Sequence, residues 1–124
     1  MAKTIRITNK TRKTVIDGNA REAASFFSRM RGLMLVKKPQ TIVLVAAGES
    51  VSETGIHMWF MRQAIDVIWL DRALTVAGTF ENAKPWALRI FKPKRAAKYV
   101  VECPIGTIKR TGTKEGDSFS FSKD

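Results

Sequence analysis

Apolar and polar positions alternate with a period of two through much of this chain, which is the signature of half-buried β-strands. "TIRIT" (4–8) alternates strictly and "KTVID" (13–17) follows across "NKTR", predicting an N-terminal hairpin. "TIVLVA" (41–46) is apolar on both faces and β-branched, as expected of a strand covered on each side. "IDVIWL" (65–70) and "LTVAGTF" (74–80) flank Asp71-Arg72-Ala73, a second hairpin with Gly78 placed for a bulge. "KYVVEC" (98–103) runs into Pro104, with Gly106 in the turn beyond it. In "DSFSFS" (117–122) the alternation puts Phe119 and Phe121 on one face.

One stretch departs from that period. Ala23, Phe26, Phe27 and Met30 recur at helical spacing, Asn19 and Glu22 resemble a capping box, and Arg29, Arg31 and Gly32 suit a helix end. The pattern predicts one short α-helix over about residues 20–30. Six or more short strands with a single helix predict a mainly β, β-rich α+β fold: a compact antiparallel β-barrel or sandwich. With 124 residues and neither repeat nor linker, residues 1–124 are expected to form a single domain.

Composition narrows the setting. The longest apolar runs are too short to cross a bilayer, and "MAKTIRITNK" has no apolar leader core. Cys103 is the only cysteine, which excludes an internal disulfide and fits a reducing compartment. A cytoplasmic protein with no membrane partner is expected. The net charge is +11, and it is uneven. Residues 1–40 carry ten Lys/Arg against two acids, residues 41–83 two against five, and residues 84–114 nine against one. Two basic flanks around an acidic middle predict either a solubilising surface or a face that attracts polyanions.

Hydrolase and phosphate-loop signatures are missing. Cys103 and His57 would make a nucleophilic pair only if the fold brought them together, and a buried cysteine is the ordinary occupant of such a strand end. His57 with Asp66, Glu102 or Asp117 has no metal-ligand spacing, so neither metal nor cofactor is expected. Asp66 and Glu102 lie within apolar strands, where a carboxylate needs a cation or backbone donors. Arg29 can offer a bidentate fork, making Arg29, Asp66 and Glu102 candidates for structural ion pairing or, alternatively, for lining a polar site. The stretch "HMWFM" (57–61) would put His57, Trp59 and Met61 on one face, and Met58 and Phe60 on the other. Most of it should pack inward and leave a rim for recognition. Trp86 stands in the basic loop "NAKPWALRIFKPKR", where it either plugs one end of the barrel or stacks on a ligand among cations.

"RMRGLM", "IHMWFM…IDVIWLD", "KPW", "YVVECPIG" and "EGDSFSF" occur in an order that resembles the prokaryotic family catalogued as domain of unknown function 192, in its archaeal form. The resemblance spans roughly residues 4 to 122. It implies a compact β-rich barrel or sandwich and brings no established activity. The matching positions are Arg29, Gly32, Leu33, Met34, Met58, Asp66, Asp71, Trp86, Glu102, Gly106, Gly116 and Asp117. Trp59-Phe60-Met61 replaces the Lys-Asn-Thr of bacterial members, Ala64 replaces a proline and Val36 a basic residue, so a polar pocket built there in relatives is altered here.

The leading expectation is a non-catalytic module that binds a small molecule or a protein partner. Its shallow site would lie near the end of the expected helix and the 55–62 segment, with Arg29, Met34, His57, Trp59 and Trp86. The alternative is weak, sequence-blind nucleic-acid contact through Lys84, Arg89, Lys92, Lys94, Arg95 and Lys98. A third reading is an enzyme using Asp66 or Glu102 as acid or base.

Overall fold

The computed structural model describes residues 3–23, 40–51, 54–57, 63–87 and 90–123. Among them the chain forms strands β1 (Lys3–Asn9), β2 (Thr14–Ala23), β3 (Ile42–Ser50), β4 (Ile56–His57) and β5 (Ile65–Leu70). There follow β6 (Val76–Ala83), β7 (Ile90–Phe91), β8 (Ala97–Pro104), a helix α1 (Thr107–Thr111) and β9 (Phe119–Lys123). Seven strands form one sheet in the order β6-β5-β8-β3-β2-β1-β9, and β4 pairs with β7 in a separate ribbon. The fold is mainly β, as the alternation predicts. Pairing is antiparallel except between β2 and β3, which run parallel from Arg21/Ile42 to Ala23/Leu44. A parallel pair needs a long connection, and residues 24–41 provide its length.

The sheet stays open, but its two edge strands are laced together at one end. Thr75 bridges to Ser118, the Val76 N–H donates to the Asp117 carbonyl at 2.9 Å, and the Phe119 N–H donates to the Leu74 carbonyl at 2.8 Å. This curl gives the sheet a barrel-like interior, packed by Ile5, Ile7, Val43, Ile68, Leu70, Val101 and Phe119 and reached by Ile108 of α1. A second core covers the other face, where Ile42, Val67, Trp69 and Val100 meet Ile56 and Phe91 of the ribbon. The Phe91 ring lies 4.5 Å from that of Phe80, and the Trp69 indole donates to the Thr54 carbonyl at 2.7 Å. Strand β5 lies between the two cores and is buried at every position. Phe119 and Phe121 share the interior face, as their spacing predicts.

Two expectations change. The helix expected from residue 20 does not begin there, because β2 continues to Ala23 with Ala20 opposite Ile5 and Arg21 opposite Thr4. Asn19 therefore caps no helix; its N–H meets the Asp17 carboxylate within the strand. Strand pairing outweighs the local capping signal. Residues 24–30 lie outside the described residues. The helix that is seen, α1, is a single short turn bounded by Gly106 (φ 90) and Gly112 (φ 70), both left-handed. Near Gly78, Trp69 faces Gly78 but Leu70 faces Val76, so Ala77 is the bulged residue. A Cβ on Gly78 would stand 3.3 Å from the Pro93 backbone, so glycine there lets the 92–95 segment lie close to β6.

Candidate functional site

Burial decides what the strand carboxylates can do. Asp66 is fully buried on the interior face of β5, and both of its oxygens accept backbone N–H groups. One takes Asn82 N at 2.9 Å, the other Ile108 N at 3.0 Å, so a single carboxylate pins the end of β6 and the start of α1. Among the donors named here none is a cation; Arg29 lies outside the described residues. Glu102 is buried on β8 opposite Val67, whereas Asp66 is opposite Cys103. Opposed residues share a face, so Asp66 and Glu102 point to different sides of the sheet. They do not form one acid–base pair. Cys103 belongs to the interior core and its thiol donates to the Asp66 carbonyl at 3.4 Å. Burial first, then the Asp66 charge, pushes that thiol well above its ordinary range, which keeps it protonated. The backbone of His57 lies in the ribbon, over the other core.

A second polar cluster joins the β1–β2 turn to the turn before β9. The Asp117 carboxylate accepts Arg12 Nε at 3.0 Å, Asn9 Nδ2 at 3.0 Å and Lys114 N at 3.0 Å. Burial alone would raise this carboxyl, but the hydrogen bonds from Arg12, Asn9 and Lys114 outweigh it and hold the group below its usual value. The Asn9 side chain also donates to Thr113 and accepts from Arg12 N. Asp71 plays the same part in the β5–β6 hairpin, taking Ala73 N and Thr75 N on one oxygen at 2.9 Å each. Among the described residues no group of three His, Cys, Asp or Glu gathers to hold a metal ion. A cleft of about 280 Å³ opens between Ile16, Asp17, Thr41, Ile105 and Arg110, and Thr41 Oγ1 is buried there without a hydrogen-bond partner.

The ribbon side is different. The Ala87 N–H donates to the Lys84 carbonyl at 3.3 Å, closing a four-residue turn with Pro85 second and Trp86 third. Trp86 has φ 61. Proline followed by a positive φ is the pattern of a type II turn, whose third position favours glycine or asparagine. A tryptophan there carries strain, yet its side chain is not buried by way of compensation: Trp86 is 56% exposed. Ile90, opposite His57 in the ribbon, is 58% exposed. Of the basic residues nearby, Lys84 and Lys92 are exposed. Lys94 pairs with Glu115 at 3.6 Å, Arg95 approaches Asp71 at 4.0 Å and donates to the Val76 carbonyl, and Lys98 donates to the Ala46 carbonyl at 2.9 Å. Thus His57 and Trp86 are brought to one side of the sheet, on the ribbon and on the loop leading into it. Met34, Trp59 and Arg89 lie outside the described residues, together with Arg29.

Comparison with known proteins settles the family. The model of domain of unknown function 192, described as an uncharacterized ACR, matches residues 5–121. This chain belongs to that family. The UPF0127 protein of Thermococcus kodakarensis is 41% identical over 117 residues, covering 94% of this chain and 73% of that one. Its counterpart in Pyrococcus furiosus is 36% identical over 115 residues, covering 93% and 97%. This member of the domain of unknown function 192 family is therefore of the archaeal type. Two solved structures share the fold. A Sinorhizobium meliloti protein provisionally assigned as a transcription regulator superposes with a TM-score of 0.83 at 21% identity, covering 98% of this chain and 94% of that one. A Novosphingobium aromaticivorans protein of unknown function gives 0.82 at 16% identity, covering 96% and 84%. In this domain of unknown function 192 protein, the motif residues Asp66, Asp71 and Asp117 are folding clamps. Gly106 and Gly116 supply left-handed turns at φ 90 each. Asn9, Arg12 and Thr113, which complete the Asp117 cluster, carry no motif of their own. Their one sequence signal is the turn chemistry of "NKTR" facing "TKEGD".

Proposed function

We propose that this protein is a non-catalytic binding module acting in the cytoplasm, with its recognition surface on the 84–87 turn and the β4–β7 ribbon. Trp86 carries the reading: a bulky aromatic at a glycine-type turn position, largely exposed, is a cost to folding that recognition explains. Ile90 extends the apolar surface, and His57 stands opposite it in the ribbon. Arg29, Met34 and Trp59, outside the described residues, enter this reading as candidates from the sequence alone. A catalytic role for Asp66 gains no support, since it is buried with both oxygens on backbone amides. Such a surface suits a flat ligand face, such as a nucleoside base or a sugar ring. Adenosine and N-acetylglucosamine are the probes, titrated into the 15N-labelled chain. Shifts should gather at residues 56–57 and 84–91, and Trp86→Ala should weaken the better probe at least about tenfold, the loss of one stacked contact. Shifts centred elsewhere, no saturable response, or an unchanged Trp86→Ala would overturn the reading.

A second reading is favoured by the cations that neighbour the same tryptophan in sequence, of which Lys84 and Lys92 are exposed. Lys84, Arg89, Lys92, Lys94, Arg95 and Lys98 would attract a polyanion while Trp86 stacks on a base. Binding of a labelled single strand should fall steeply between low and moderate salt; no binding at low salt ends this reading.

A further inference from the structure

The two basic flanks of the chain meet in space, away from the 84–87 turn. The 10–13 turn, α1 and the 112–118 turn are stitched together by backbone and side-chain bonds. Lys10 N donates to the Ser118 carbonyl at 2.7 Å, Ser118 N to Thr11 Oγ1 at 2.9 Å, and Thr14 Oγ1 to the Thr111 carbonyl at 3.0 Å. Arg110 forks onto the Val15 and Ile16 carbonyls at 3.0 and 2.9 Å, joining the helix to β2. One corner thereby gathers Lys10, Arg12, Lys13, Lys109, Arg110 and Lys114, all of them exposed.

The charge there is mostly positive. Asp117 has a side chain only 4% exposed and is neutralised by Arg12. Glu115 is paired with Lys94. Asp17, which lines the cleft beside Arg110, has one oxygen on Asn19 N of its own strand. A surface built for solubility intersperses both signs evenly; here six cations stand against three carboxylates, one of them buried, and the positive sign prevails. Its shape is also held: Lys13 (φ 56), Gly112 (φ 70) and Gly116 (φ 90) all adopt left-handed backbone, and the buried Asn9–Asp117 bond crosses between the turns. Val51, Trp86 and Ile90 belong to other segments, and Ile105, exposed in the cleft beside Arg110, is the one large exposed hydrophobic that borders the corner among the described residues.

We propose that this corner docks the phosphodiester backbone of a nucleic acid, without reading its bases. Several cations on fixed turns neutralise phosphates and release counterions, giving affinity that is steeply salt-dependent and blind to sequence. A single exposed apolar residue, Ile105, beside six cations offers little acyl-chain contact, which favours a nucleic acid over a lipid surface. The inference shares its chemistry with the second reading above but places the contact on different residues, and it does not depend on the Trp86 surface.

Fluorescence anisotropy with a labelled mixed-sequence 30-base-pair duplex tests it on the full chain. Three variants separate the outcomes: Lys10→Glu/Lys109→Glu/Lys114→Glu at the corner, Lys84→Glu/Lys92→Glu on the loop, and Trp86→Ala. All of these side chains are exposed, and circular dichroism checks that each variant folds. The corner variant should bind at least about tenfold more weakly at 50 mM salt, with the slope of log K against log salt reduced by about 3. The corner variant should lose more affinity and more salt slope than the loop variant or Trp86→Ala, since only it removes the corner's phosphate contacts. A corner variant that binds like the parent overturns the proposal, as does a parent that binds no duplex at 50 mM salt. Loss confined to the loop variant would instead support the 84–98 reading. Binding to anionic vesicles but not to the duplex would identify a membrane surface and end the nucleic-acid assignment.

Discussion

The clamped end of the sheet and the ribbon side use their polar and aromatic residues in opposite ways. Asp71 and Asp117 at the clamped end, and Asp66 at the opposite end of β5, each hold two or more donors, and glycines at residues 106, 112 and 116 take left-handed backbone. Leu74 (φ 64) and Lys13 (φ 56) are left-handed at the clamped end too, with Leu74 packed against the interior core. On the ribbon side, a tryptophan occupies a left-handed position and remains largely exposed, with Ile90 exposed nearby. Leu74 gains core packing in its left-handed position, whereas the large aromatic Trp86 stays mostly exposed in its own. It is this unburied violation that marks a place selected for something else. Asp66, Asp71 and Asp117, which look chemical in the sequence, hold the fold together, and the turn that looks like punctuation holds the exposed tryptophan on which the proposed recognition surface rests.

The largest expected effect breaks the clamp. In Asp66→Asn one backbone N–H keeps an acceptor, while the other meets an amide donor in a fully buried setting. Leaving a buried donor unpaired costs about 1–3 kcal/mol, and the lost charge-assisted bond brings the expected destabilisation to about 3 kcal/mol. Urea denaturation followed by tryptophan fluorescence measures it. A change under about 1 kcal/mol would show that the N–H groups of Asn82 and Ile108 find other partners, and the comparison would fail at its strongest point.

Asp117→Asn should cost less, about 2 kcal/mol at neutral pH, because Arg12 can turn to water once its partner is neutral. Here pH adds a second handle. The folded carboxyl titrates below its unfolded value, so its stabilising contribution is complete above the unfolded pKa of about 4 and is lost as pH falls through the folded one. Between pH 5 and pH 2 the parent should lose stability faster than Asp117→Asn, and the two melting curves should converge, this being the range that brackets a carboxyl of about 4 and its lowered folded value. Parallel curves would remove Asp117 from the electrostatics of the fold.

The legibility of the two regions follows the range of the interactions that build them. Strand β5 and the Phe119/Phe121 face are visible in the sequence because period two is a local pattern. The β1–β2 hairpin is visible because both strands and their turn lie within about twenty residues. The expected helix starts too early because Asn19 and Glu22 give a helix signal that pairing with β1 overrides, and β1 lies on the far side of a turn. Helix α1 is too short for any period to register, although Gly106, Gly112 and the basic pair Lys109-Arg110 frame it. The donors to Asp66 come from Asn82 and Ile108, 16 and 42 residues away, so a buried carboxylate could be recognised but its partners could not. Burial of a carboxylate calls for a cation or backbone donors, and among the described residues Asn82 and Ile108 give it backbone amides. Trp86 was legible as a candidate from its composition alone, while its backbone conformation was not.

That conformation permits the smallest and most discriminating prediction. At φ 61 any residue with a Cβ pays a steric penalty of about 1–2 kcal/mol that glycine avoids. Trp86→Gly and Trp86→Ala both remove the indole, so whatever packing the side chain contributes cancels between them. Glycine loses more entropy on folding than alanine, by about 0.5–1 kcal/mol, which offsets part of the relief. The glycine variant should therefore be the more stable of the two by about 0.5–1 kcal/mol, read as a higher midpoint in urea. An alanine variant of equal or greater stability would mean that the turn does not hold its third residue left-handed, and the case for a strained, displayed tryptophan would go with it. If glycine does win, the parent has kept tryptophan at a position where a smaller residue folds better. A surface that tolerates such strain to present an indole is then distinguished from the clamped end by energetics as well as by exposure.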